Sequence, residues 1–260
     1  MQSVLKQLLH QALCTLQHHG TIPHALRFQA NLTTPKQARH GDYTTNIALL
    51  LAKPCGKPAH DLAAQLVSAL QDHPLLERVE ATEPGFINFF LNKTEQNLII
   101  TAILDLGEHF GHHLGMKKPF FLTSTAALST AKSHPFYDVQ YAHARISCLL
   151  RQLQERGITW SEQQGLQHLD LLIKPEEACL VSFMNRYSDV LQMSSFMNDS
   201  RVMIDYLQAL ANHLHNYYNI LQLLCEREEL WCARICLLKA VRQVLQNGIQ
   251  WLGVSASENL

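Results

Sequence analysis

The sequence predicts a small α+β domain followed by an all-α helical bundle. Three observations carry this expectation. Residues 1–110 mix helical apolar spacing with short stretches that alternate apolar and polar side chains. Residues 111–135 then change character, with two glycines, two prolines and a run of Ser, Thr and Ala. From Phe136 onward nearly everything carries the 3.6-residue pattern, and successive amphipathic helices close into a bundle. At 260 residues the chain has room for two ordinary domains. Its 47% hydrophobic and 17% charged residues suit a globular protein with a real core.

In the first domain, Val4, Leu5, Leu8, Leu9, Ala12, Leu13 and Leu16 recur at helical spacing, so residues 2–18 read as an amphipathic helix. Gly20 and Pro23 end it. Leu26, Phe28, Ala30 and Leu32 alternate with polar residues and predict a half-buried strand. After a turn at His40-Gly41-Asp42, Tyr43 to Lys53 and Ala59 to Leu70 read as helices separated by Pro54 and Pro58. Gly41 permits the tight turn, Asp42 is placed to cap the next helix, and Ile47, Leu50 and Leu51 are expected to pack inward. Arg78 to Thr82 and Phe86 to Leu91 form a strand pair around Glu83-Pro84-Gly85, and Thr94 is placed to cap a helix reaching Leu106. The domain is thus expected over 1–110, a linker over 111–135 with Pro119 to Thr123 its one strand-like stretch, and the bundle over 136–260. Helices are predicted at 136–156, 175–192, 199–224 and 227–248.

Charge excludes a strong global field for nucleic acid. The net value is -1, whereas phosphate affinity usually comes from surplus Lys and Arg. Residues 1–110 hold 8 basic and 9 acidic side chains, and 136–260 hold 10 and 13; only the linker is one-sided, with three lysines and no acid. Any RNA binding must use local patches and shape. The fifteen histidines add charge only at mildly acidic pH. Seven cysteines is an odd count, and Cys14, Cys148, Cys179, Cys225 and Cys236 sit among apolar residues as small fillers. A reduced, cytoplasmic setting is expected. The longest apolar runs are too short to span a bilayer, and no signal-peptide pattern follows Met1.

Several strings carry a family resemblance. HGDYTTNIALLLAK (His40 to Lys53) and PGFINFFL (Pro84 to Leu91) resemble the amino-terminal tRNA-binding domain of arginyl-tRNA synthetases. FYDVQYAHARISCL (Phe136 to Leu149) resembles the opening helix of their anticodon-binding domain, of the DALR type. PEEACLVSFMNRYSDVL, SRVMIDYLQALANHLHNYYN and CARICLLKAVRQVLQNGIQWLGVSA follow in that family's order. The resemblance covers nearly the whole chain except the linker. In those enzymes a nucleotide-binding catalytic core separates the two parts; here about 25 residues do, fewer than the roughly 30 of one βαβ unit. Gly111-His112-His113-Leu114-Gly115 is only superficially similar to the HIGH motif, and no KMSKS-like loop is present. No catalytic residue, cofactor or metal is expected, and Cys232 and Cys236 lack the CxxC pairing of structural zinc sites.

For candidate binding residues, strand alternation puts Ile87, Phe89 and Leu91 on a core face and Phe86, Asn88 and Phe90 on the other. An aromatic–amide–aromatic row suits a flipped-out base, and the resemblance implies contact with the tRNA D-loop. The alternative buries both faces and leaves Asn88 satisfying a turn. At the anticodon end the candidates are Tyr217 and Tyr218, with His213 and Arg201 near the same helix. Adjacent helical residues differ by about 100°, so one of the two tyrosines belongs to the core. The family usually closes on a Pro-Glu-Arg-Met-like ending; here Ser257-Glu258-Asn259-Leu260 stands instead, which implies altered anticodon selectivity.

The expected function is a non-catalytic tRNA-binding protein that holds arginine tRNA by elbow and anticodon arm, as an adaptor or regulator with a partner enzyme acting on tRNA. It would bind neither membrane nor DNA. The alternatives are a protein-interaction module without RNA affinity, and a split arginine–tRNA ligase subunit needing a separate ATP-binding core.

Overall fold

The computed structural model describes residues 2–29, 31–35, 37–112, 136–221 and 227–254. Most of the expected linker, including Pro119 to Thr123, and the carboxyl-terminal Ser257 to Leu260 lie outside them. The contacts divide the chain into two units, Met1–Gln96 and Asn97–Leu260.

The first unit builds its core on one three-stranded antiparallel sheet. Helix α1 (Gln2–His18) lays Leu5, Leu9 and Leu13 into that core. Strand β1 (Tyr43–Thr45) is followed by α2 (Ile47–Cys55) and α3 (Ala59–Leu70), then by β2 (Leu76–Thr82) and β3 (Phe86–Leu91). The strand order is β1-β3-β2, so β3 is central. Tyr43 and Val79 flank Phe89, and Thr45 and Ala81 flank Ile87. These positions face Ile47, Leu51, Leu62 and Leu66 from the helices. Each such side chain taken out of water stabilises the unit by about 1.5–3 kcal/mol.

Several local expectations are corrected. No strand forms among the described residues between Leu26 and Leu32, and Thr33 pairs in a single bridge to Thr44. A three-residue β1 gives a longer neighbour nothing to pair with. Tyr43 to Thr45 is strand rather than helix, because two threonines and a tyrosine fit the pleat beside β3. Helix α2 runs past Pro54 to Cys55, and Gly56 in the left-handed region (φ 61°) ends it. Leu50 lies 55% exposed on the outer side of α2. Asn92, not Thr94, caps the following helix, its Oδ1 accepting the Thr94 N–H at 2.9 Å.

The His-Gly-Asp turn has a different use from a helix cap. Asp42 Oδ2 accepts the Leu91 N–H at 2.8 Å, and the Asp42 N–H donates to the Phe89 carbonyl at 2.8 Å. Gly41 sits at φ 83° with its Cα so close to β3 that an added Cβ would lie 2.4 Å from the Phe89 carbonyl oxygen. The motif therefore clips β1 to the central strand. Burial pushes the Asp42 carboxyl above its usual range, against the opposing Leu91 hydrogen bond. A raised carboxyl binds its proton more tightly folded than unfolded, so stability from this group falls as pH rises through the folded value. Asp42→Asn keeps an acceptor for Leu91 without burying charge. It should melt at least as high as the wild type at pH 7, with the difference vanishing below about pH 3, under the unfolded carboxylate range. Thermal melts of both proteins across that range check this.

The second unit is helical. Helices α4 (Lys93–Leu106), α5 (Tyr137–Glu155), α6 (Glu162–Gln167), α7 (Pro175–Met197), α8 (Ser200–Ile220) and α9 (Glu228–Trp251) follow in order. The unit boundary falls inside α4 rather than at residue 110. The reason is apolar: Ile100, Ile103 and Phe110 pack into the second core, and Asn97 Nδ2 donates to the Leu169 carbonyl at 2.8 Å. Helix α9 is central, with Leu237, Val241, Val244, Leu245 and Trp251 all buried. It is apolar on most sides because it is enclosed. Gly165 lets α6 lie against it; a Cβ there would meet the Cys236 sulfur at 2.6 Å. Helices α7 and α8 form a tight hairpin. Asn198 ends α7 in the left-handed region (φ 52°), and Asp199 caps α8 by accepting the Arg201 N–H at 2.9 Å. Helix α7 runs five residues past the expected 192, while α8 ends at Ile220 rather than 224.

Candidate nucleic-acid interface

Each unit carries one candidate surface. On the first, β3 turns Ile87, Phe89 and Leu91 inward, all at 3% exposure or less, as the alternation requires. The opposite face is not the open row that alternation alone predicts. Asn88 is only 3% exposed. It is shorter than the phenylalanines two residues away and is flanked in register by Thr44 and Glu80, so longer neighbours close over it. Phe86 is exposed. Phe90 is half-buried, with the Arg78 guanidinium 3.7 Å from its ring centre. Arg78 also pairs with Glu80 at 2.8 Å. What this face presents is Phe86 together with a cation laid over Phe90. Arg78 was missed in the sequence because its partnership with Phe90 depends on the register of β2 on β3.

On the second unit, the side chains that gather are mostly ones the sequence reading passed over. Tyr137, Tyr141 and Arg145 are spaced by four and share one face of α5. The rings of Tyr137 and Tyr141 stack at 6.0 Å and 7°. Tyr141, 40% exposed, reaches His215 of α8 at 5.5 Å. One turn further along, Arg145 lies 3.8 Å over the ring of Tyr218. The result is a two-helix strip of three tyrosines, a histidine and an arginine. Burial pushes the His215 imidazole below its usual range; Arg145 adds to this, while the Asp138 backbone hydrogen bond and carboxylate oppose it. The ring is therefore neutral at neutral pH and contributes a flat surface rather than a charge. The four-residue spacing of Tyr137, Tyr141 and Arg145 was the available signal.

The predicted anticodon residues do not come together. Tyr218 joins the strip, but Tyr217 is core at 0% exposure, and its hydroxyl donates to Glu177 Oε1 at 3.0 Å. Arg234 Nε donates to the same oxygen at 2.9 Å, and Glu177 Oε2 accepts the Lys174 N–H at 3.0 Å. This buried carboxylate ties α7, α8 and α9 together and fixes the rotation of α8, so that Tyr218 turns toward α5. His213 lies instead against α7, 4.5 Å from the Phe183 ring and 3.3 Å from the Cys179 sulfur. Arg201 stands at the far end of α8, about 25 Å along the axis. There it forks onto Asp199, with Nη2 to Oδ2 at 2.8 Å. That bond holds the Asp199 carboxyl below its ordinary range and raises the Arg201 guanidinium. Cys232 and Cys236 are buried against α6, and burial pushes the Cys236 thiol up to about 12, so it is a filler rather than a thiolate.

Comparison with known proteins fits these two units. The arginyl tRNA synthetase N terminal domain matches residues 3–91, and the DALR anticodon binding domain matches residues 139–260. The chain thus carries two domains of the kinds found in arginyl-tRNA synthetases. The arginine–tRNA ligase of Legionella pneumophila strain Philadelphia 1 is 52% identical over 134 residues, covering 52% of this chain and 23% of the ligase. That of Coxiella burnetii strain CbuK_Q154 is 38% identical over the same length, with the same shares. The Thermus thermophilus arginyl-tRNA synthetase structure is 26% identical, covers 51% of this chain and 22% of its own, and superposes with a TM-score of 0.42. The chain thus spans about a quarter of the length of the curated relatives it matches. Between its two matched domains only residues 92–138 remain. The catalytic core that separates these domains in the synthetases is missing from between them. Among the described residues no helix is long and apolar enough to cross a membrane.

Proposed function

We propose that the chain binds arginine tRNA without charging it, meeting the elbow with the first domain and the anticodon arm with the second. The observation that carries this reading is the strip of Tyr137, Tyr141, His215 and Arg145 over Tyr218, in a domain of the anticodon-binding type. Unpaired anticodon bases need flat surfaces, and each base stacked on an aromatic side chain contributes roughly 1–3 kcal/mol. A guanidinium held over a ring keeps N–H donors that a phosphate or base edge can accept. Such a strip works without a net positive domain, in keeping with a chain of net charge -1.

At the elbow the proposed contacts are Phe86 and the Arg78–Phe90 pair, with Asn88 as the floor between them. An unpaired D-loop base would stack on Phe86. Arg201 and His213 lie outside the strip and take part only if the tRNA arm extends along α8 or crosses to α7. The chain would serve as an adaptor or regulator that presents or sequesters its tRNA for a partner enzyme.

A second reading, a protein-interaction module without RNA affinity, is favoured by one observation. Met193, Phe196 and Met197 stand together on the outer side of α7, at 54%, 92% and 58% exposure. Electrophoretic binding to a panel of purified tRNAs at low salt separates the two. The proposal expects arginine tRNAs to shift at lower protein concentration than the others. Failure of every tRNA to shift would leave only the interaction module.

A further inference from the structure

The seam between α5 and α9 holds a cation that the tRNA-binding strip does not use. Arg242 of α9 is partly buried, and its buried Nε has no hydrogen-bond partner among the described residues. Its Nη1 makes only a long 3.5 Å contact to the Ser147 hydroxyl, which itself donates to the His143 carbonyl at 3.1 Å. Among the described residues no carboxylate stands within ion-pair range of it, although Arg234 and Lys239 on the same helix each have one. A guanidinium half out of water and without a counter-charge is a poised anion site, and its planar fork matches a phosphate.

One helical turn away on both helices lies a groove of about 400 Å³, lined by Leu150, Gln154, Ile158, Thr159, Trp160 and Lys239. That is within the range of small-molecule sites. Lys239 pairs with Glu162 and lies 5.0 Å from the Trp160 ring, so it adds little net charge to the groove. The seam therefore offers one flat aromatic wall, apolar sides and one uncompensated cation a turn further on.

We propose that this seam binds a mononucleotide, its base against Trp160 and its phosphate on Arg242. The nucleotide is either free or the 5′-phosphorylated end of an RNA, which present the same chemistry. Ser147 is two residues beyond Arg145 on α5 and so about 200° around the helix. The seam thus lies on the face of α5 away from the tyrosine strip and does not depend on the strip's reading as a tRNA surface.

Tryptophan fluorescence and calorimetry on the full chain test the proposal, with adenosine 5′-monophosphate and adenosine as probes. The monophosphate should bind saturably and about ten-fold more tightly than adenosine, the size expected for a charge-assisted hydrogen-bonded contact. Arg242→Gln should bring the monophosphate down to the adenosine level, while Trp160→Leu weakens both probes. A 5′-phosphorylated tetranucleotide that binds better than the monophosphate would identify an RNA end; equal or weaker binding would identify the free nucleotide. Tyr141→Ala should change none of these values. Equal affinity for monophosphate and adenosine in the wild type would overturn the proposal, and that comparison holds even if Arg242→Gln unfolds. Unchanged monophosphate binding by folded Arg242→Gln would overturn it as well.

Discussion

Replacing Glu177 with alanine should lower the unfolding free energy of the second domain by about 3–5 kcal/mol, the range for removing one partner of a buried ion pair. The side chain is at 0% exposure and accepts from the Lys174 N–H, the Tyr217 hydroxyl and Arg234 Nε. Alanine leaves the guanidinium of Arg234, itself 4% exposed, facing a cavity where a carboxylate stood. It also removes the Glu177 oxygen that accepts from the buried Tyr217 hydroxyl. Glu177→Gln keeps the shape and an acceptor, so it should fall between wild type and alanine. Urea unfolding followed by circular dichroism measures the difference. An alanine variant within 1 kcal/mol of wild type, on the order of a single ordinary hydrogen bond, would show that the network is not what sets the helices.

The second large effect is on binding. Tyr141→Ala combined with Arg145→Ala should weaken tRNA binding by about ten- to a hundred-fold, since one stacking surface is worth roughly 1–3 kcal/mol per base. Both side chains lie on the outer side of α5, with Tyr141 40% exposed and Arg145 lying over the ring of Tyr218. The double variant should therefore keep its fold. Arg201→Ala, at the remote end of α8, should change affinity less than two-fold, within the spread of exposed charge contacts. Filter binding at fixed salt compares the three proteins. Equal loss from Arg201→Ala and from the double variant would mean that the tRNA arm follows the length of α8 rather than the strip.

The architecture was legible because its signals are local. Leu5, Leu9 and Leu13 declare α1 by spacing alone, and Ile87, Phe89 and Leu91 declare the inner face of β3. The surfaces were less legible because they depend on neighbours distant in sequence. Asn88 is outward by alternation yet buried, since only the register of β1 and β2 reveals what flanks it. Tyr217 and Tyr218 look alike in sequence. Yet Tyr217 continues the buried stripe of Met203, Leu207, Leu210 and Leu214 and bonds Glu177, forty residues earlier, while Tyr218 turns to the strip. Tyr141 was visible within its motif, but its stacking with His215 needs the packing of α5 on α8. Gly41 and Asp42 were read as a turn and cap, whereas their partner is the end of β3, nearly fifty residues on.

Binding without charging is tested most directly by adding the purified chain to a charging reaction run by a complete arginyl-tRNA synthetase. With limiting arginine tRNA, the rate should fall as the chain is added and approach zero when it exceeds the tRNA. The chain alone, with ATP and arginine, should give no charged tRNA. A rate unmoved by excess chain, or charging by the chain alone, would contradict it.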